Sequence, residues 1–125
     1  MKLRLKGNSL RLRLTRSEVS RIGDGVAVSE TVRFGPHPAH CLEYRLAPAK
    51  VDSVSATFFD RKIEVSLPLD VARSWAASPE ITLSREQEVS MTEKLQILVE
   101  KDFACLTPRP GEDDSDAFPN PNSSC

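Results

Sequence analysis

Charged and apolar residues alternate strictly along the first fifteen residues, MKLRLKGNSLRLRLT, and this constrains the fold more than any other feature. Leu3, Leu5, Leu10, Leu12 and Leu14 alternate there with Lys2, Arg4, Lys6, Arg11 and Arg13. A period of two puts successive side chains on opposite faces of a strand, and the Gly7-Asn8-Ser9 break separates two such runs. The stretch therefore predicts an antiparallel hairpin with one apolar face and one wholly cationic face. That cationic face is the one candidate binding surface the sequence announces.

Further along, Thr15 and Glu18 stand in capping-box spacing, with Leu14 and Val19 placed as a hydrophobic staple. A short helix over Arg16–Ile22 follows, ended by Gly23-Asp24-Gly25. Val26, Val28, Val32 and Phe34 mark a strand, and Leu42, Tyr44 and Leu46 mark another that Pro48 stops. Val54, Ala56 and Phe58, then Ile63, Val65 and Leu67 after Asp60-Arg61, read as a second hairpin. Pro68 opens a second helix whose apolar face is Leu69, Ala72, Trp75 and Ala76. Ile81 and Leu83 begin a further strand, and Leu95, Ile97 and Val99 lie in the last.

The sum is seven or eight strands and two short helices, with hairpin-style connections and no strand-helix-strand rhythm. The expected fold is α+β or mostly β: a single antiparallel-sheet domain over residues 1–106, closed as a barrel or packed as a sandwich. A length of 125 residues suits one core that buries about two-thirds of the unfolded surface. No internal repeat stands out. Residues 107–125 are rich in Pro, Asp, Ser and Asn and read as an acidic tail.

Formal net charge is −1, yet the charges are unevenly placed. No acid precedes Glu18, whereas Glu112, Asp113, Asp114 and Asp116 face no base after Arg109. That asymmetry points to self-complementarity or to two surfaces for two partners. Asp113, Asp114, Asp116 and Phe118 are the candidate docking residues of the tail, which would be a loose end, a strap over the basic hairpin, or an arm reaching a second copy. No apolar run approaches the roughly 20 residues of a membrane span, and no signal-peptide core is present. Three widely spaced cysteines, Cys41, Cys105 and Cys125, fit reduced thiols and a cytoplasmic protein.

The ends MKLRLKGNSLRLRLTRSEV and LVEKDFACLTPRPGEDDSDAFPNP resemble a family of short, uncharacterised bacterial proteins known only as a domain of unknown function. Its most specific marks are the Lys-Gly-Asn-Ser turn, Glu100-Lys101-Asp102-Phe103, Cys105-Leu106 and the Glu112–Asp116 run followed by Phe118-Pro119-Asn120-Pro121. The resemblance implies no activity and nominates no catalytic residue. It does imply that the tail is native.

Lys2, Arg4, Lys6, Arg11 and Arg13 are the candidate anion- or partner-binding residues, because cations two apart on a strand point the same way. The plainer reading is a solvated face whose charges prevent edge-to-edge aggregation. If the strands closed into a barrel with the cations inside, the layout would resemble the triphosphate-tunnel enzymes and suit a phosphate or polyphosphate ligand. Those enzymes open on Glu-x-Glu-x-Lys to hold a metal; Lys2-Leu3-Arg4-Leu5-Lys6 departs from it. His37, His40 and Cys41 are zinc-type ligands whose fourth partner, Cys105 or an acid, would have to arrive from elsewhere; with no Cys-x-x-Cys element and prolines on either side of His37, the stretch reads as an ordinary exposed loop and no metal is expected. Cys105 reads as a buried small residue rather than a nucleophile. No P-loop, dinucleotide fingerprint or zinc-protease motif occurs, so no cofactor is expected and catalysis is the less favoured reading. The basic hairpin lacks the aromatic residues that stack on bases, which disfavours sequence-specific nucleic-acid binding. A non-catalytic binding or interaction module is the reading that remains first, engaging the protein's own tail, a second copy or a phosphorylated small molecule.

Overall fold

A computed structural model describes residues 1–103 and 116–119. Asp113, Asp114 and the expected domain-tail boundary at 106/107 lie outside the described residues. Lys2–Lys6 (β1) and Ser9–Leu14 (β2) pair antiparallel, Leu3 opposite Leu12 and Arg4 opposite Arg11. Gly7 takes φ +54° at the first position of the two-residue turn, where a hairpin of this kind favours glycine. Helix α1 (Arg16–Gly23) begins with the expected box: the Glu18 carboxylate accepts from Thr15 N at 2.9 Å, and the Thr15 hydroxyl accepts from Glu18 N. The chain continues through β3 (Val28–Arg33), a short 3-10 turn at Pro38–His40, β4 (Cys41–Ala49), β5 (Ser55–Phe59) and β6 (Lys62–Pro68). Helix α2 (Leu69–Ala77), β7 (Thr82–Glu88) and β8 (Lys94–Lys101) complete it. Pro48 does not stop β4. Glu43 turns its N–H toward the β6 side, so Pro48 turns its nitrogen toward the β3 side, and it lies beyond the last β3 pairing, Val28 with Leu46, where a missing N–H breaks no ladder bond.

The domain is mostly β, with two four-stranded sheets in the orders β1-β2-β8-β7 and β3-β4-β6-β5 that do not close into a barrel. Outer pairs are antiparallel, but the central pairs β2/β8 and β4/β6 run parallel. Hairpin reasoning sees local pairings only, and these central partners come from opposite halves of the chain. Each helix carries the chain from one sheet to the other: α1 from β2 to β3, α2 from β6 to β7. Between the sheets lie Leu10, Leu12, Leu14, Leu46, Ile63, Val65, Leu67, Ile97 and Val99, and Val19, Ile22, Ala72 and Trp75 add the inner helix faces. Full burial of each large apolar side chain contributes roughly 1.5–3 kcal/mol.

The two halves of the chain are structural repeats, β-β-α-β-β followed by β-β-α-β-β. Leu10, Leu12 and Leu14 occupy the places of Ile63, Val65 and Leu67, and Val19 and Ile22 those of Ala72 and Trp75, at a constant spacing of 53 residues (Leu10 to Ile63). Tyr44 and Leu46 match Ile97 and Val99 at the same spacing. Gly23 meets Ala76, again its counterpart, where α1 crosses α2: a Cβ on Gly23 would lie 2.6 Å from Ala76 Cβ. The pseudo-twofold axis therefore passes through the helix crossing. Residue types differ between the halves while the alternation of buried positions is shared, which is why the repeat escapes a reading by residue type.

Candidate functional site

The alternation on β1 and β2 sends Leu3, Leu10, Leu12 and Leu14 toward the core and Lys2, Arg4, Lys6, Arg11 and Arg13 to the outer face of the first sheet. A charged barrel interior is thereby overturned: the sheets stay open, and the interior between them is leucine, isoleucine and valine. Register sets Lys2 beside Arg13 and Arg4 beside Arg11. β8, on the other side of β2, supplies Glu100 opposite Arg13. Glu100 lies 3.4 Å from Arg11 and 3.5 Å from Arg13, and Lys2 reaches Asp102 at 3.2 Å. Arg4 and Lys6 have no ion-pair partner among the described residues. Lys2, Leu3, Arg4, Arg11 and Arg13 line a shallow depression of about 180 Å³ on this face.

The tail residues that are described return to the helix end rather than to the cationic face. Asp116 sits at the start of α1: its carbonyl accepts from Arg16 N at 2.9 Å, and its carboxylate accepts from Ser17 N and the Ser17 hydroxyl. Those bonds, the Ser17 hydroxyl's first, hold the Asp116 carboxyl below its ordinary pKa. A carboxylate here satisfies N–H groups that the first helical turn leaves unbonded. Phe118 packs on Phe103, ring centres 5.6 Å apart, and its N–H donates to Asp102 O at 2.8 Å. Lys101 lies nearby with its ammonium 5.4 Å from the Trp75 ring and 2.6 Å from Ser78 O; burial pulls its pKa down against the opposing field of Glu80.

Two edges between the sheets are laced by side chains. On one, the Gln87 amide accepts from Ala56 N at 2.8 Å and donates to Ala56 O at 2.9 Å, while Arg85 donates to Val54 O at 3.0 Å. On the other, the Met1 ammonium reaches Glu18 at 2.7 Å and Glu30 at 2.9 Å, and the Tyr44 hydroxyl donates to Met1 O at 3.1 Å. Burial alone would lower the pKa of that ammonium, but the two carboxylates outweigh it and raise it. Burial likewise works to raise Glu18, yet the ammonium and the Thr15 backbone N–H hold it low.

At the hairpin-turn end, opposite the helices, Leu5, Leu10, Leu42, Ala56, Phe58, Ile63 and Leu95 line an apolar mouth of about 390 Å³. Its walls pair Leu5 with Phe58, Leu10 with Ile63 and Leu42 with Leu95, counterparts in the two halves, so it lies on the pseudo-twofold axis. His37 and His40 stand 5.4 Å apart between ring centres, but His37 Nδ1 accepts from Ala39 N, which occupies it as a turn residue. Cys41 is a free thiol, with Arg33 Nη1 at 3.5 Å from its sulfur. No group of three or more metal-type ligands occurs among the described residues, and none of the described helices is long and apolar enough to cross a membrane.

The family model described as Family of unknown function (DUF7009) matches residues 1–122. The chain belongs to this family. No curated protein and no solved structure matches the chain. Membership in DUF7009 brings no activity, so the reading of function rests on the surfaces just described. Sequence reasoning missed the roles of Glu30, Arg85 and Gln87. The signal was present: each is a polar residue at an inward position of its strand, where an apolar one is expected.

Proposed function

We propose that this protein is a non-catalytic binding module whose cationic β1-β2 face engages an acidic partner. The observation that carries the reading is a comparison of the two halves. Lys2, Arg4, Lys6, Arg11 and Arg13 occupy the places that Ser55, Thr57, Phe59, Glu64 and Ser66 hold on the β5-β6 hairpin, by the register of the two hairpins. The same backbone and the same buried positions are thus built in the second half with no cation at any of these five places, so folding does not require them there. They also carry a cost, because like charges directly opposite, as Arg4 and Arg11 are, destabilise a pair of strands. An acidic partner relieves that repulsion. A cytoplasmic setting goes with this reading, since a free thiol such as Cys41 suits a reducing compartment.

The test is a thermal melt with polyglutamate at low salt, repeated at moderate salt, with tripolyphosphate and sulfate at matched ionic strength as comparators. A ligand that binds only the folded chain raises the midpoint by mass action. Polyglutamate should raise it at low salt and lose the effect as salt screens the charges. The double variant Arg4→Gln, Arg11→Gln should melt no lower than the parent and lose the rise. A rise that survives in that variant, or no rise at all, would sink the proposal.

A further inference from the structure

We propose that the outer edge of β1 is a strand-addition site for an extended partner segment in which acidic and apolar residues alternate. This rests on the binding reading above and adds how the partner is held. The second half of the chain shows how a matching edge is sealed. Ala56 N–H and C=O both bond to the Gln87 amide, so both point away from β6, and Val54 C=O faces the same way toward Arg85. Leu3 is the counterpart of Ala56 and Met1 that of Val54. Met1 C=O accepts from the Tyr44 hydroxyl and so faces outward too. Leu3 N–H and C=O therefore face the open side of β1, and Leu5, two residues on, repeats that direction.

What differs is the clasp. Register gives Val32 the place of Gln87, since Val32 pairs with Leu42 as Gln87 pairs with its counterpart Leu95. Valine has nothing to offer a backbone amide. Among the described residues, no side chain or loop bonds to the backbone of Leu3 or Leu5, and Leu5 is 60% exposed. Unpaired groups in a row along a sheet edge are a template for another strand, with main-chain bonds giving affinity and alternate side chains giving specificity.

The side chains beside that edge define the occupant. A strand laid along β1 would put one set of alternate residues next to Leu3 and Leu5 and the other next to Lys2, Arg4 and Lys6. Apolar residues suit the first set and carboxylates the second. A second copy pairing through its own β1 would set Lys2, Arg4 and Lys6 against the same residues, like charges opposite like. The occupant is accordingly a different acidic chain.

The probe is a fluorescein-labelled peptide of alternating valine and glutamate, compared with the same peptide N-methylated at every backbone amide, which keeps the charges and removes the donors. Binding is read by anisotropy, and exchange of the Leu3 and Leu5 amides by NMR. Strand addition predicts slowed exchange at Leu3 and Leu5 and binding about tenfold weaker for the methylated peptide, as the loss of one or two hydrogen bonds entails. Val32→Gln should weaken the unmethylated peptide by a similar factor, because the new amide clasps Leu3 as Gln87 clasps Ala56. If that variant fails to fold, the exchange measurement on the unaltered protein decides. Equal binding of both peptides without protection, abolished in Arg4→Gln, Arg11→Gln, overturns strand addition and leaves the cationic-face reading standing. Binding of neither peptide overturns both. Concentration-dependent protection of Leu3 and Leu5 in the free protein would make a second copy the occupant and overturn the inference as well.

Discussion

Replacing Glu18 by glutamine removes a charge from the most enclosed ion pair among the described residues while leaving the helix cap in place. One Glu18 oxygen serves the cap at Thr15 N, 2.9 Å away, and the other meets the Met1 ammonium at 2.7 Å. Glutamine keeps an acceptor for the first contact and turns an N–H₂ toward the ammonium in the second. Removing one partner of a buried pair costs about 3–5 kcal/mol. Glu30 still reaches the ammonium, although its side chain is 43% exposed, so a loss of roughly 2–3 kcal/mol is expected from that partial compensation. For a domain of this size that lowers the melting midpoint by about 6–12 °C. The pH profile is the stricter test. Glu18 has its pKa lowered, so its contribution is present above its ordinary value of 4.5 and lost as pH falls through the folded value. The ammonium has its pKa raised, so its contribution is present below its ordinary value of 8.0 and lost as pH rises through the folded value. The gap between parent and Glu18→Gln should be widest between those two ordinary values and narrow on both sides. Melts followed by circular dichroism across that range check it. A gap that stays constant with pH, or is negligible near neutrality, would refute the account of the ion pair.

Two further substitutions probe the repeat. Gly23→Ala places a Cβ on Ala76 Cβ and should destabilise by about 1–3 kcal/mol as an overpacked contact, while the exchanged pair Gly23→Ala, Ala76→Gly should recover most of that in denaturant titration. In the β5-β6 turn, Asp60 and Arg61 both hold positive φ, 50° and 63°, which side chains adopt reluctantly. Changing them to Asn-Gly, the preferred pair for such a turn, should stabilise by about 0.5–1 kcal/mol, read as a higher midpoint.

Period-two runs made the hairpins legible, because alternation follows from strand geometry alone and needs no knowledge of the partner. The same holds for α1, whose Thr15-Glu18 box is a local device bonded within one turn. The central parallel pairs were not legible. Leu12 and Val99 are neighbours only because both helices cross between sheets, and nothing in either strand records that crossing. The cations of β1 and β2 could be assigned to one face but not to the outside of it until the opposing sheet was placed. Asp116 stood among the tail's candidate docking residues with its partner left open; it bonds the start of α1, its carbonyl accepting from Arg16 N and its carboxylate from Ser17 N and the Ser17 hydroxyl, donors that only the folded helix start sets side by side. The Gln87 clasp was hidden for a different reason: a side-chain amide bonding an edge strand substitutes for a missing backbone partner, and sequence patterns record strands rather than their substitutes.

Edge protection is the competing account of the basic face, and position separates the two. Lysine and arginine guard a sheet where its backbone lies open, which covers Lys2, Arg4 and Lys6 on β1. It does not cover Arg11 and Arg13, because β2 lies between β1 and β8 and has no free edge. Their one described carboxylate is Glu100, shared between both guanidiniums, so ion pairing within the domain leaves the face with an excess of positive charge. A guard would also be needed on β5, the matching edge strand, yet Ser55, Thr57 and Phe59 carry no charge there and the edge is sealed by Gln87 instead. One half of the molecule closes its edge with an amide and leaves the face beside it neutral or mixed. Among the described residues the other leaves Leu3 and Leu5 of its edge unclasped and surrounds them with cations, a combination that on the reading proposed here repels a second copy of itself and attracts an acidic strand by the same charges.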